Sequence, residues 1–115
     1  MPPDMESHVN KYLVDILDAI KHIDLFVAEV KSFSDYEKNL LVKRAVEREL
    51  EIIGEAMSKL LQLNVTISIS NARRMVDLRN RVIHGYDKVD DGVIWGILKR
   101  HLPKLKEEVA TLLSF

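Results

Sequence analysis

The sequence predicts an all-α fold, an up-and-down bundle of four to five helices, and three observations lead there. Apolar residues recur at spacings of three and four through three long stretches, which is the period of a helix with one buried face. Polar capping residues stand near the starts of these stretches. The one segment that alternates like a strand, Asn64 to Ser70, has no second strand to pair with.

Val9, Leu13, Ile16, Ile20, Ile23, Val27 and Val30 form the first stripe and predict a helix from near Asp4 to near Lys31. Ser34 and Glu37 have the spacing of a capping box, in which each side chain satisfies an orphan backbone N–H, so Ser34 is expected to start the second helix. That helix carries Val42, Val46, Leu50, Ile53, Met57 and Leu60 and should fray near Asn64. Gly54 inside it costs about 1 kcal/mol relative to alanine, and close approach of a second backbone is the expected compensation. Asn64 to Ser70 is expected to be an extended connector, with Ser68 or Ser70 capping a third helix that turns Met75, Leu78 and Val82 inward and stops at Gly85. Asp90 should cap the next helix, with Val89 and Ile94 spaced as a hydrophobic staple. Its stripe is Trp95, Leu98, Leu102, Leu105, Val109 and Leu112. Pro103 interrupts the stripe and predicts a kink or a break into a short fifth helix.

At 115 residues the chain fits a single domain spanning 1–115. With 47% hydrophobic and 30% charged residues it can bury a core. A bundle this small leaves apolar surface uncovered, which favours an oligomer. The absence of cysteine excludes disulfides, thiolate metal sites and thiol nucleophiles, and fits a cytoplasmic protein. The opening Met-Pro-Pro-Asp-Met-Glu does not resemble a signal peptide, and no apolar run is long enough to span a membrane.

A net charge of −1 argues against a protein that grips nucleic acid over its whole surface. The charge is uneven, however. Ala72 to Lys88 holds Arg73, Arg74, Arg79, Arg81 and Lys88 against Asp77 and Asp87, a basic patch that on charge alone reads as a solvated helix face. His8, His22, His84 and His101 lack the i, i+4 pairing of a zinc-binding helix, and the glycines at 54, 85, 92 and 96 are isolated, so neither a metal site nor a phosphate-binding loop is expected.

The chemically loaded segment is Leu78 to Tyr86. Arg79 and Arg81 offer forked, permanently charged donors suited to phosphate, Asn80 adds an amide, and His84 can move protons near neutral pH. On a continuous helix Asn80 and His84 share a face, while Arg79 and His84 differ by about 140° of rotation. Either the helix unwinds at His84 before Gly85, or the site draws on two chains. The plainer alternative is a histidine at a helix C-terminus beside surface arginines.

Arg79 to Tyr86 resembles the R-x-x-x-x-H-x-Y motif of HepT-like proteins in the HEPN superfamily. Glu47 to Ala56, with its Ile-Gly-Glu-Ala stretch, resembles that family's long second helix, and Val89 to Leu105 resembles its C-terminal helices. The resemblance implies a dimer in which the motifs of two subunits meet in a cleft as a metal-independent ribonuclease site needing no cofactor. His84 would be the base or acid, Arg79 would hold the scissile phosphate, and Asn80 would orient His84 or a phosphate oxygen, with Arg81 in support. It further implies the toxin role in a toxin–antitoxin pair. The partner would be an MntA-like nucleotidyltransferase antitoxin that adds AMP to Tyr86. Several relatives have an aromatic residue where this chain has the smaller Ile67 to Ser70. Two rival readings are a non-catalytic HEPN module binding nucleotide or protein, and a plain helical scaffold.

Overall fold

The computed structural model describes residues 3–63, 67, 69, 70, 72–84 and 90–113, and of residues 3 and 81–84 it describes the backbone alone. Six α-helices follow in order: α1 (Pro3–Phe26), α2 (Phe33–Lys38), α3 (Leu40–Gln62), α4 (Ala72–His84), α5 (Asp91–Gly96) and α6 (Leu102–Leu113). A π-helical segment, Ile97–His101, joins α5 to α6 without a break. The described residues therefore form five helical rods and no strand.

Helix α3 is the centre of the bundle, packed along α1 on one side and α4 on the other. Helix α6 returns to α1, and α2 lies across α3 and α5. The stripes read from the sequence supply this core. Leu13, Ile16, Ile20 and Ile23 of α1 meet Val46, Leu50, Ile53, Met57 and Leu60 of α3, all at most 2% exposed. Leu98, Leu102, Leu105 and Val109 close the core from the C-terminal rod. Each fully buried Leu or Ile contributes about 1.5–3 kcal/mol relative to exposure. Tyr36 joins the core from outside any stripe, its ring tilted against Trp95 at 5.5 Å between centroids.

Three boundaries differ from those the sequence predicts. Helix α1 stops at Phe26, not near Lys31. The chain then tightens, with the Ala28 and Val30 N–H groups donating to the Leu25 and Val27 carbonyls and the Lys31 ammonium donating to the Ala28 carbonyl. Val30 still reaches the core, but from this turn.

The second predicted helix is two helices. Ser32, not Ser34, caps α2 by accepting from the Asp35 N–H at 3.2 Å. Asn39 then leaves helical geometry, and its side chain accepts from the Val42 N–H at 3.0 Å to start α3. Asparagine competes in this way with backbone hydrogen bonding, and here it breaks one periodic stretch in two.

At Pro103 the rod does not break into a separate fifth helix. The turn before it widens, and the Leu102 N–H donates to the Ile97 carbonyl five residues back. A wide turn of this kind separates the proline ring from the carbonyl it would otherwise strike.

Asp90 caps α5 as expected, accepting from the Gly92 N–H at 2.6 Å. Ser70 instead ties to α6, its N–H and hydroxyl both donating to the Glu108 carboxylate. Ser68, Val89, Gly85 and the Val82 side chain lie outside the described residues.

Candidate functional site

The site is built where α4 lies closest to α3, and Gly54 makes that closeness possible. A Cβ at position 54 would overlap the Cβ of Arg79 and stand 2.9 Å from the Met75 carbonyl oxygen. The helix-interior glycine thus marks a close backbone approach, as its cost in propensity requires. Met75, Val76 and Leu78 anchor α4 in the core.

Arg79 leaves this contact with its side chain only 27% exposed. Its Nη1 donates to Asn80 Oδ1 at 2.8 Å, and its Nη2 pairs with Glu55 Oε2. Its Nε is buried with no hydrogen-bond partner among the described residues. Glu55 also faces Lys59, Nζ to Oε1 at 3.9 Å. The guanidinium is therefore held by one neutral acceptor from its own helix and one carboxylate from α3. Asn80 thus meets Arg79 through its side-chain oxygen.

Arg79 stands at a cleft of about 510 Å³ between α1 and α3. Helix α1 contributes Lys11, Tyr12 and Asp15, and α3 contributes Arg48, Glu51, Ile52, Glu55, Ala56 and Lys59. Lys11 pairs with Asp15 at 3.1 Å and Arg48 with Glu51 at 3.2 Å. Exposed pairs of this type are worth about 0–1 kcal/mol each, so an arriving phosphate can compete for the cations. None of these α1 and α3 residues stands among the site residues expected from the sequence. The available signal was their spacing, since 48, 52, 55 and 59 recur on one face of α3 and 11 and 15 on one face of α1.

Helix α4 stays helical through His84. Unwinding before Gly85, one of the two arrangements open from the sequence, does not occur. Positions 79 and 84 are consequently about 140° apart around the axis. The side chains of Arg81 and His84 and the whole of Tyr86 lie outside the described residues.

Residues 16–112 match the family described as "Ribonuclease HepT-like". The chain belongs to the HepT-like ribonuclease family. Among similar proteins, "Putative RNase MJ1380" of Methanocaldococcus jannaschii is 35% identical across 88% of this chain and 93% of its own length. "Probable ribonuclease HepT" of Thermococcus cleftensis is 37% identical across 89% and 93%. A third relative, "Gamma-glutamylcyclotransferase and putative RNase MJ0434" of M. jannaschii, is 31% identical across 96% of this chain but only 50% of its own. No solved structure matches the chain. Membership of a ribonuclease family makes RNA the substrate class against which this HepT-like site is to be judged. No helix among the described residues is long and apolar enough to cross a membrane.

Proposed function

We propose that this chain is the toxin of a cytoplasmic toxin–antitoxin pair, an endoribonuclease whose residues 1–115 act as one domain and whose site is shared by two copies. Membership of the HepT-like ribonuclease family supports the ribonuclease part of this reading, and the observation that supports a shared site is the unbroken helical backbone from Ala72 to His84. It sets Arg79 and His84 about 140° apart around the helix and about 7.5 Å apart along it. The two groups converge on one phosphate most simply when each comes from a different copy.

In this reading Arg79 holds the scissile phosphate, Asn80 fixes Arg79, and Arg81 adds a second cation. His84 of the other copy takes the proton of the ribose 2′-OH as its oxygen attacks phosphorus. The bond to the 5′ oxygen breaks, and that oxygen takes a proton from water. The products are a 2′,3′-cyclic phosphate and a 5′ hydroxyl. Arg79 stabilises the charge that develops on the phosphate oxygens, as preorganised cationic donors do.

Silencing would come from an MntA-like nucleotidyltransferase antitoxin. It transfers AMP from ATP to the Tyr86 phenol and releases pyrophosphate. The added phosphate then competes for Arg79 and Arg81. Peptide mass spectrometry after co-expression should find the AMP mass on the Tyr86 peptide and lose it in Tyr86→Phe.

The composite site is tested by mixing inactive variants. Arg79→Ala and His84→Ala are each expected to cut no RNA. Refolded together in equal amounts, they should regain about a quarter of wild-type activity, because half the dimers are mixed and each mixed dimer keeps one intact site. A mixture that stays inactive sinks the shared site. A wild-type chain that binds RNA or nucleotide but never cuts favours the non-catalytic module instead.

A further inference from the structure

We infer that Glu55 is a positioning residue for Arg79, fixing the guanidinium in the orientation that receives a phosphate. The inference rests on the phosphate-binding role proposed above for Arg79. Its basis is the donor arithmetic of the guanidinium, which has five N–H groups in a rigid fork. Nε is buried and cannot reach a ligand. Among the described residues each terminal nitrogen has one acceptor, Asn80 Oδ1 on Nη1 and Glu55 Oε2 on Nη2. Each terminal nitrogen therefore keeps one of its two N–H bonds for a phosphate oxygen. Two acceptors from different helices stop rotation of the fork about its stem, which one acceptor would not.

The backbone dictates this arrangement. Glu55 follows Gly54, so the close approach that seats the Arg79 Cβ against position 54 also brings the next side chain of α3 to the guanidinium. The carboxylate is half-exposed and spans two cations, Oε1 toward Lys59 and Oε2 on Arg79. A guanidinium this far desolvated, with its Nε unpartnered, needs a nearby negative charge to stay in one place. Binding and orientation separate here: Glu55 lowers the positive potential felt by RNA but raises the fraction of bound phosphates that meet a correctly aimed fork.

The test is cleavage of a fluorescein-labelled single-stranded RNA by the full chain, together with RNA affinity by anisotropy in a His84→Ala background. Glu55→Ala should lower the rate at saturating RNA at least tenfold, while affinity stays unchanged or rises because a negative charge has gone. Glu55→Gln keeps an acceptor oxygen and should fall between wild type and Glu55→Ala.

Three results overturn the inference: a Glu55→Ala rate within twofold of wild type, a rate above wild type, or an affinity that falls in step with the rate. If Glu55→Ala does not fold, the isosteric Glu55→Gln decides, and a rate equal to wild type overturns the inference. Arg79→Ala cutting at the wild-type rate would sink the function proposed above. Arg79→Ala inactive with Glu55→Ala fully active sinks only the role of Glu55.

Discussion

Tyr36 and Arg79 each carry a buried polar atom without a partner among the described residues, and the two are resolved by different means. Tyr36 is a structural residue whose ring fills the space between α2 and Trp95. Burial of its hydroxyl pushes the phenol well above its ordinary range, and the carboxylates of Asp91 and Glu47 push it further. A tyrosine whose folded value is raised contributes stability that is complete below the unfolded value, about 10, and is lost as pH climbs above it. Tyr36→Phe should therefore be neutral or stabilising at pH 7, because it removes an unsatisfied hydroxyl and keeps the ring. It should also flatten the loss of stability above pH 10. Urea unfolding at pH 7 and pH 11 checks both; a loss of more than about 1 kcal/mol at pH 7, the usual worth of a made hydrogen bond, would mean the hydroxyl has a partner. At Arg79 the fork itself matters. Arg79→Lys keeps the charge but not the planar donors, so RNA cleavage should fall at least about a hundredfold, the usual cost of losing an aligned transition-state donor. Initial rates at saturating RNA measure it, and near-wild-type turnover by the lysine variant would make Arg79 a mere point charge.

Between helices, the α3–α4 contact at Gly54 is the joint on which the site depends. Gly54→Ala gains about 1 kcal/mol in helix propensity. It loses more, because the new methyl meets the Met75 carbonyl and the Arg79 Cβ rather than a side-chain end that can swing away. The expected net result is destabilisation by about 1–3 kcal/mol, read by urea unfolding, with reduced cleavage by whatever protein remains folded. Equal stability would show that α4 can shift without cost.

The same joint shows how much of the fold and site was legible in the sequence. Apolar spacing located every long helix, because periodicity reports a buried face directly, and Gly54 announced the close approach. Arg79 and Asn80 were found as a motif. Glu55 lay in the Ile-Gly-Glu-Ala stretch but was not read as a site residue, because a carboxylate on a helix has obvious partners three or four residues away, such as Lys59. Only the approach of α4 gives it Arg79. The end of α1 was missed because Val30 reaches the core as well from a turn as from a helix. The break at Asn39 was missed because one side-chain hydrogen bond, not the pattern, decides it.

As a whole the molecule measures 47 × 31 × 19 Å, and its thinnest direction has room for about two layers of helices. Leu25, Leu40 and Leu41 remain largely exposed, with Leu41 at 81%. A slab this thin with uncovered apolar side chains is expected to pair with itself. Sedimentation equilibrium at micromolar concentration should give twice the 13.3 kDa chain mass, and a monomer there would remove the basis for a shared site. The last rod meets α2 with its first segment, α5, and α1 with its last, α6. The π turn between them acts as a phase adjuster: one residue more than an α-turn needs rotates α6 relative to α5 by about 100°. In gene terms it is equivalent to one codon more than a plain α-helix would need. Deleting Arg100, which is exposed, together with Pro103→Ala should leave a plain α-helix whose two ends keep their present faces, and the protein should still fold. Deleting one residue from the middle of α3 should not be tolerated, because nothing there can take up the turn.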